Sequence, residues 1–280
     1  MNIQTQLLYR LEQEKGTFLS GAALAQELQC SRNAIWKAIQ NLKSEGYQIT
    51  SVPNRGYRLL SENDILSPEA VLGYLDRKNV SITILPSVPS TSQKLKKLAL
   101  DQMPPEGSFV LANAQTAGRG HVGHSFYSPA DCGLYISVLL RPTSPVDIRD
   151  ILSKASVAAC RAVEKLYGIS LLIRRSNDLY LKGMKVGGIL TEAQSDMETG
   201  FVDFIIVGLG LNLLTPPEGY PPELNGIASS LTQASGEKLS INRSQLAAEF
   251  VNQLVKAHQD SSAAEEYLRR RDPEDPSIIK

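Results

Sequence analysis

Cysteine is scarce in this chain. Cys30, Cys132 and Cys160 are the only three in 280 residues, and an odd number without a Cys-x-x-Cys pair argues against a disulfide framework and a structural zinc site. Histidine is equally rare, and although His121 and His124 stand close together, no Cys or acidic residue follows at a ligand spacing, so no metal is expected. Long apolar runs are also missing. No stretch reaches the roughly 18 residues a membrane span needs, and the N-terminus lacks a basic-then-apolar leader, so the chain is expected to be cytoplasmic, with no membrane partner. There is no excess of either charge, with 29 basic and 29 acidic residues, and therefore no general pull toward a polyanion. Any affinity for nucleic acid must be local. Residues 1–60 carry seven Lys or Arg against four Glu, and the rest of the chain has the compensating acidic excess.

Apolar content is ample at 42%, and the length suits two ordinary domains. In residues 3–14, Ile3, Leu7, Leu8 and Leu11 recur at helical spacing before Lys15-Gly16 ends the pattern. Ser20 is placed to cap a second helix with Leu24 and Leu28 inside, and Ser31 a third with Ile35, Ile39 and Leu42 inside. Two short helices joined by a tight turn at Gln29-Cys30-Ser31 make a helix-turn-helix. Beyond Gly46 the period becomes two, and Pro53-Asn54-Arg55-Gly56 turns the chain back into Tyr57-Arg58-Leu59-Leu60. That hairpin is the wing. Residues 1–62 are accordingly expected to be a winged helix-turn-helix that binds double-stranded DNA. The second helix of such a motif enters the major groove, which nominates Ser31, Arg32, Asn33, Trp36 and Lys37, with Arg55 and Tyr57 from the wing. Trp36 follows the buried Ile35 and so points off the apolar stripe, toward either DNA or a neighbouring helix.

Residues 63–80 combine a polar connector with a short helix near Pro68. From 81 to 270 strand-like runs at 82–88, 107–115, 134–140, 169–175, 185–193 and 201–214 alternate with helical patterns at 90–101, 147–167 and 241–270. The expected class is α+β, with a second domain of mixed α/β character around a largely antiparallel sheet. Residues 271–280 carry two prolines and mixed charge and read as a flexible tail.

Four segments, SVPSTSQ (87–93), NAQTAGRGHVGHSFYSP (113–129), RRSNDLYLKGMKVGGILTE (174–192) and VGLGLN (207–212), stand in order behind the winged helix. In that arrangement the chain resembles the bifunctional biotin protein ligase and biotin-operon repressor family. The resemblance implies a class II synthetase-like second domain that in the family activates biotin with ATP and transfers it to an acceptor lysine. It also implies that Ser90, Thr91, Ser92, Gln115, Gly118, Arg119, Gly120, His121, Arg174, Gly188, Gly210 and Asn212 surround the ligand. Hydroxyls, an amide and backbone groups suit a compact polar ligand in an apolar pocket.

The sequence departs from the family where charge is needed. The family loop reads Gly-Arg-Gly-Arg-Arg-Gly-Arg, whereas here it is Gly118-Arg119-Gly120-His121-Val122-Gly123-His124, and the lysine of a Lys-Trp-Pro-Asn-Asp motif is Arg174. An Arg does not replace a compact ammonium in a packed site, nor a neutral His an Arg. Residues up to 280 are not expected to include a counterpart of the family's small C-terminal β domain. The expectation is a repressor that binds operator DNA as a homodimer and senses a small vitamin-like effector, with no catalytic residue and no required cofactor. The ligand would be biotin or another small carboxylate such as pantothenate. The alternative is an active bifunctional ligase and repressor.

Overall fold

The computed structural model describes residues 2–142, 145–174, 177–195, 201–260 and 262–275. They form two compact units, one of residues 1–76 with 240–248 and one of residues 77–239 with 249–280.

In the first unit the helices α1 (Ile3–Gln13), α2 (Gly21–Glu27) and α3 (Arg32–Ser44) precede a two-stranded sheet of β1 (Ile49–Val52) and β2 (Gly56–Leu59). The side chains of Asn2, Ser20 and Ser31 accept hydrogen bonds from the amides of Thr5, Ala22 and Ala34, satisfying donors that the first helical turn leaves free. Leu7, Leu11, Leu24, Ile35, Ile39, Leu42 and Leu59 are at most 1% exposed and share one core. Each such side chain removed from water contributes about 2 kcal/mol. The wing is an antiparallel pair in which Ile49 faces Leu59 and Val52 faces Gly56.

Residues 63–76, expected as a connector with a short helix near Pro68, belong to this unit. Within them α4 (Pro68–Tyr74) is capped by Ser67 with Pro68 in the first turn and packs on α1. Residues 240–248 join as well, because the Arg243 guanidinium and backbone N–H both donate to the Asp64 carboxylate, at 2.5 and 2.7 Å. Such sequence-distant polar pairing leaves no trace in hydrophobic periodicity.

The second unit is built on a seven-stranded sheet ordered β3 (Ile82–Leu85), β4 (Phe109–Ala112), β5 (Gly133–Leu140), β9 (Val202–Asn212), β8 (Met184–Ser195), β7 (Asp178–Leu181) and β6 (Leu172–Arg174). Only β3–β4 is parallel. Strand β7 lies outside the expected runs; four residues between Asn177 and the Lys182-Gly183 turn are too short for a visible alternation. Both turn residues have positive φ, 48° and 81°, the geometry of a tight hairpin. Helices α5 (Thr91–Gln102) and α6 (Ile148–Tyr167) pack on the sheet. The helical pattern over 241–270 comprises α8 (Arg243–Gln259) and α9 (Ala263–Arg270), and α7 (Leu231–Ser235) precedes them.

The expected tail at 271–280 is docked over its described residues. Arg271 bridges Ile173 on β6, the Asp272 amide donates to the Ile173 carbonyl at 2.9 Å, and Asp272 and Asp275 are buried. Residues 276–280 lie outside the described residues.

Candidate ligand cavity and DNA-reading face

Glycines open the cavity of the second unit. Along one face of β9, Phe204 and Ile206 pack with Leu95 and Ala99 of α5 and with Val110 and Leu139. Two and four residues further on the same face the positions are Gly208 and Gly210, opposite Leu190 and Gly188 of β8. With no side chains there, the sheet leaves a cavity of about 440 Å³. The Phe126 ring closes down on Gly210, where a Cβ would come within 2.6 Å of it.

One wall is polar. Thr91 donates through both its backbone N–H and its hydroxyl to Gln115 Oε1, at 2.9 and 3.1 Å, and its hydroxyl lies 2.8 Å from that of Ser137. The Gln115 amide donates to Ser128 at 3.0 Å, and the Ser90 and Ser92 hydroxyls pair at 3.0 Å. These groups are fixed by one another, which preorganises them for a ligand with few polar atoms.

The loop after β4 forms the lid. Gly120 and Phe126 donate backbone hydrogen bonds to His124 and Gly118, and Arg119 bridges Ser125. Gly118 is required there because a Cβ would lie 2.4 Å from the Phe126 carbonyl oxygen. The cations of the cavity are each engaged by a carboxylate, Arg119 by Glu192 at 2.7 Å and Lys185 by Asp178 at 2.7 Å.

Of the residues nominated from sequence, Ser90, Thr91, Ser92, Gln115, Arg119, Gly120, His121, Gly188 and Gly210 line this cavity, and Gly118, Arg174 and Asn212 do not. Asn212 is buried and donates to the Ser229 carbonyl. Arg174 points elsewhere, into an ion pair with Asp272 at 2.6 Å and over the Tyr180 ring at 4.2 Å. Its motif neighbours Arg175 and Ser176 lie outside the described residues.

Sequence reading missed Ser137 and Lys185, which line the cavity together with Asp178. Lys185 was hidden by a β-bulge. Gly188 faces Asp178 and Leu179 faces Gly187, but Tyr180 faces Lys185, so Val186 is the extra residue. Strict alternation would put Lys185 on the opposite face from Gly188, and the bulge returns it to the same one.

In the first unit Arg32, Asn33, Trp36 and Lys37 stand exposed along the outer side of α3, and Trp36 is 51% exposed. The Ser31 hydroxyl oxygen accepts the cap bond from the Ala34 amide at 3.1 Å. Tyr57 is half-buried against the core and lines, with Ser20, Arg32 and Asn54, a cleft between α2, α3 and the wing. Arg55 is exposed at the wing tip.

Residues 3–58 match the helix-turn-helix family described as HTH domain, and residues 84–212 match the Biotin/lipoate A/B protein ligase family. The chain is 35% identical over 239 residues to the bifunctional ligase/repressor BirA of Bacillus subtilis, covering 85% of this chain and 73% of that protein. It is 33% identical over 204 residues to the protein of the same name from Escherichia coli, covering 71% of this chain and 60% of that one. A solved structure of biotin protein ligase from Aquifex aeolicus in complex with biotin and ATP superposes with a TM-score of 0.55 at 25% identity, over 66% of this chain and 72% of the other. Among the described residues no helix is long and apolar enough to cross a membrane. The helix-turn-helix unit, the glycine-floored cavity of a mixed sheet and the extent of these matches together place the chain in the bifunctional biotin protein ligase and repressor family.

Proposed function

We propose that this chain is a biotin-responsive repressor whose ligase-type cavity holds biotin as an effector and does not complete its activation with ATP. The helix-turn-helix unit reads an operator through α3, and as a two-fold dimer it would meet an inverted repeat. The observation that carries the reading is the scarcity of cations: among the described residues the cavity lining carries Arg119 and Lys185 as its arginine and lysine. Biotin presents one carboxylate, for which exchange of the single partner of Lys185 suffices. Attack of that carboxylate on ATP brings several negative charges together and needs many positioned cations. The lid supplies one guanidinium, Arg119, and Arg174 lies outside the cavity lining, paired with Asp272. Nothing in the comparisons favours pantothenate over biotin.

One observation favours a second reading, a working ligase with a dual role: Lys185 lies in the cavity, where it could meet a developing negative charge. One experiment separates the two. The full chain is incubated with biotin, ATP and a biotin-acceptor domain, while biotin binding is followed by calorimetry. Binding without pyrophosphate release or acceptor labelling is expected. Labelling well above the enzyme-free background overturns the non-catalytic reading and leaves the repressor reading intact. Biotin at 100 times its dissociation constant should also stabilise the chain by about 2.7 kcal/mol.

A further inference from the structure

The segment between α1 and α2 runs alongside the wing. Leu19 and Tyr57 exchange both backbone hydrogen bonds, at 2.8 and 2.9 Å, as an antiparallel bridge. The approach depends on Gly56, whose φ is +98° and where a Cβ would lie 2.0 Å from the Leu19 carbonyl oxygen. Pairing Leu19 with Tyr57 sets Phe18 across from Arg58, the position at which cross-strand side chains meet. The Arg58 guanidinium lies 4.6 Å from the Phe18 ring centroid, and the Arg55 guanidinium, reaching back from the turn, lies 4.3 Å from it. No carboxylate pairs with either arginine among the described residues. The Arg58 Nε is buried without a hydrogen-bond partner.

Two like charges gathered on one ring repel each other and, in a protein alone in water, have little reason to be held together. The arrangement makes sense when a third, negative group completes it. A guanidinium held over an aromatic ring can still present its terminal N–H groups to a phosphate. A side chain committed to the ring cannot at the same time extend into a minor groove. We infer that Phe18 is a positioning residue for the wing, holding Arg55 and Arg58 as a pair of guanidiniums for successive phosphates of duplex DNA. This inference rests on the DNA-reading function proposed above and assigns the wing to phosphate anchoring, with base reading left to α3.

The test uses the full chain and a fluorescein-labelled random-sequence duplex, titrated at several salt concentrations. Phe18→Leu keeps both arginines, and it is expected to weaken binding by about three- to tenfold and to flatten the dependence of log affinity on log salt. Phe18→Tyr, which keeps the ring, is expected to restore both. The double variant Arg55→Ala/Arg58→Ala should lower the salt slope by about 2. A purely structural Phe18 would change the melting temperature and leave the slope of the folded fraction unchanged, which overturns the inference. So does Phe18→Leu binding with wild-type affinity and slope. Failure of the wild-type chain to bind any duplex at low salt would instead remove the DNA-reading function itself.

Discussion

The Arg174 guanidinium lies 2.6 Å from the Asp272 carboxylate, joining a motif read from sequence as part of the ligand site to a segment read as a loose tail. The pair is 21% and 5% exposed, and the Tyr180 ring covers the other side of Arg174. Asp272→Ala should therefore cost about 2 kcal/mol, because it removes a charge-assisted bond and leaves a half-buried cation unpaired. Urea denaturation measures this. Biotin affinity should change less than about twofold. A large loss of affinity would show that Arg174 serves the ligand.

The same docking predicts acid sensitivity. Hydrogen bonds from Arg270 and Ser170 hold the Glu164 carboxyl below its usual range. Burial opposes ionisation of Glu266 and Asp272 but is outweighed by Arg161 and Arg270 for the first and by Arg174 and the Glu274 amide for the second, so both are also lowered. A carboxyl whose folded pKa is depressed contributes stability above its unfolded value, and that contribution disappears as pH falls through the folded value. The melting temperature should thus decline steeply below about pH 4, and less steeply in Asp272→Asn. Glu12 has the opposite sign. Its burial outweighs the pull of Lys15 and raises the carboxyl above 4.5, so its contribution is complete at low pH and is lost on raising it. Glu12→Gln should accordingly be more stable relative to wild type at pH 7 than at pH 4, by chemical denaturation at both values.

Lys185 faces the cavity because of the bulge at Val186, and Asp178 is its resting partner. If it receives the biotin carboxylate, Lys185→Met should weaken biotin by about tenfold or more, the worth of a charge-assisted hydrogen bond. Biotin methyl ester should bind both proteins alike. Equal losses for acid and ester in calorimetry would mean that the lysine only shapes the cavity.

Trp36 is the sole tryptophan and is 51% exposed on α3, so its emission reports this face alone. Duplex added at low salt should change that emission, and biotin added without DNA should not change it directly. Trp36→Ala should alter stability by no more than about 0.5 kcal/mol while weakening duplex binding. Unchanged emission at saturating duplex would place the DNA on another surface.

Much of the fold was legible because local signals agreed. Ser20 and Ser31 are typical cap residues and do cap, and the apolar stripe of Ile35, Ile39 and Leu42 is the buried face of α3. Glycines 188 and 210 were nominated through the family resemblance and do floor the cavity. What escaped has physical reasons. The residues of β7 are too few to show a period, and the bulge breaks the alternation on which Lys185 would have been placed. Asp64 and Arg243 pair across the chain without any local pattern.

By itself the sequence determined the helix-turn-helix, most of the sheet-forming segments and the hydroxyl and amide chemistry of one cavity wall. These depend on caps, periodicity and residue type, which act over a few positions. Only the tertiary structure decided which charges meet: Arg174 with Asp272, Arg119 with Glu192, Lys185 with Asp178, and Arg55 with Arg58 over Phe18. Long flexible side chains reach whatever the fold brings within a few ångströms. Which partner that is depends on strand register, bulges and chain crossings, and no local run of residues encodes them.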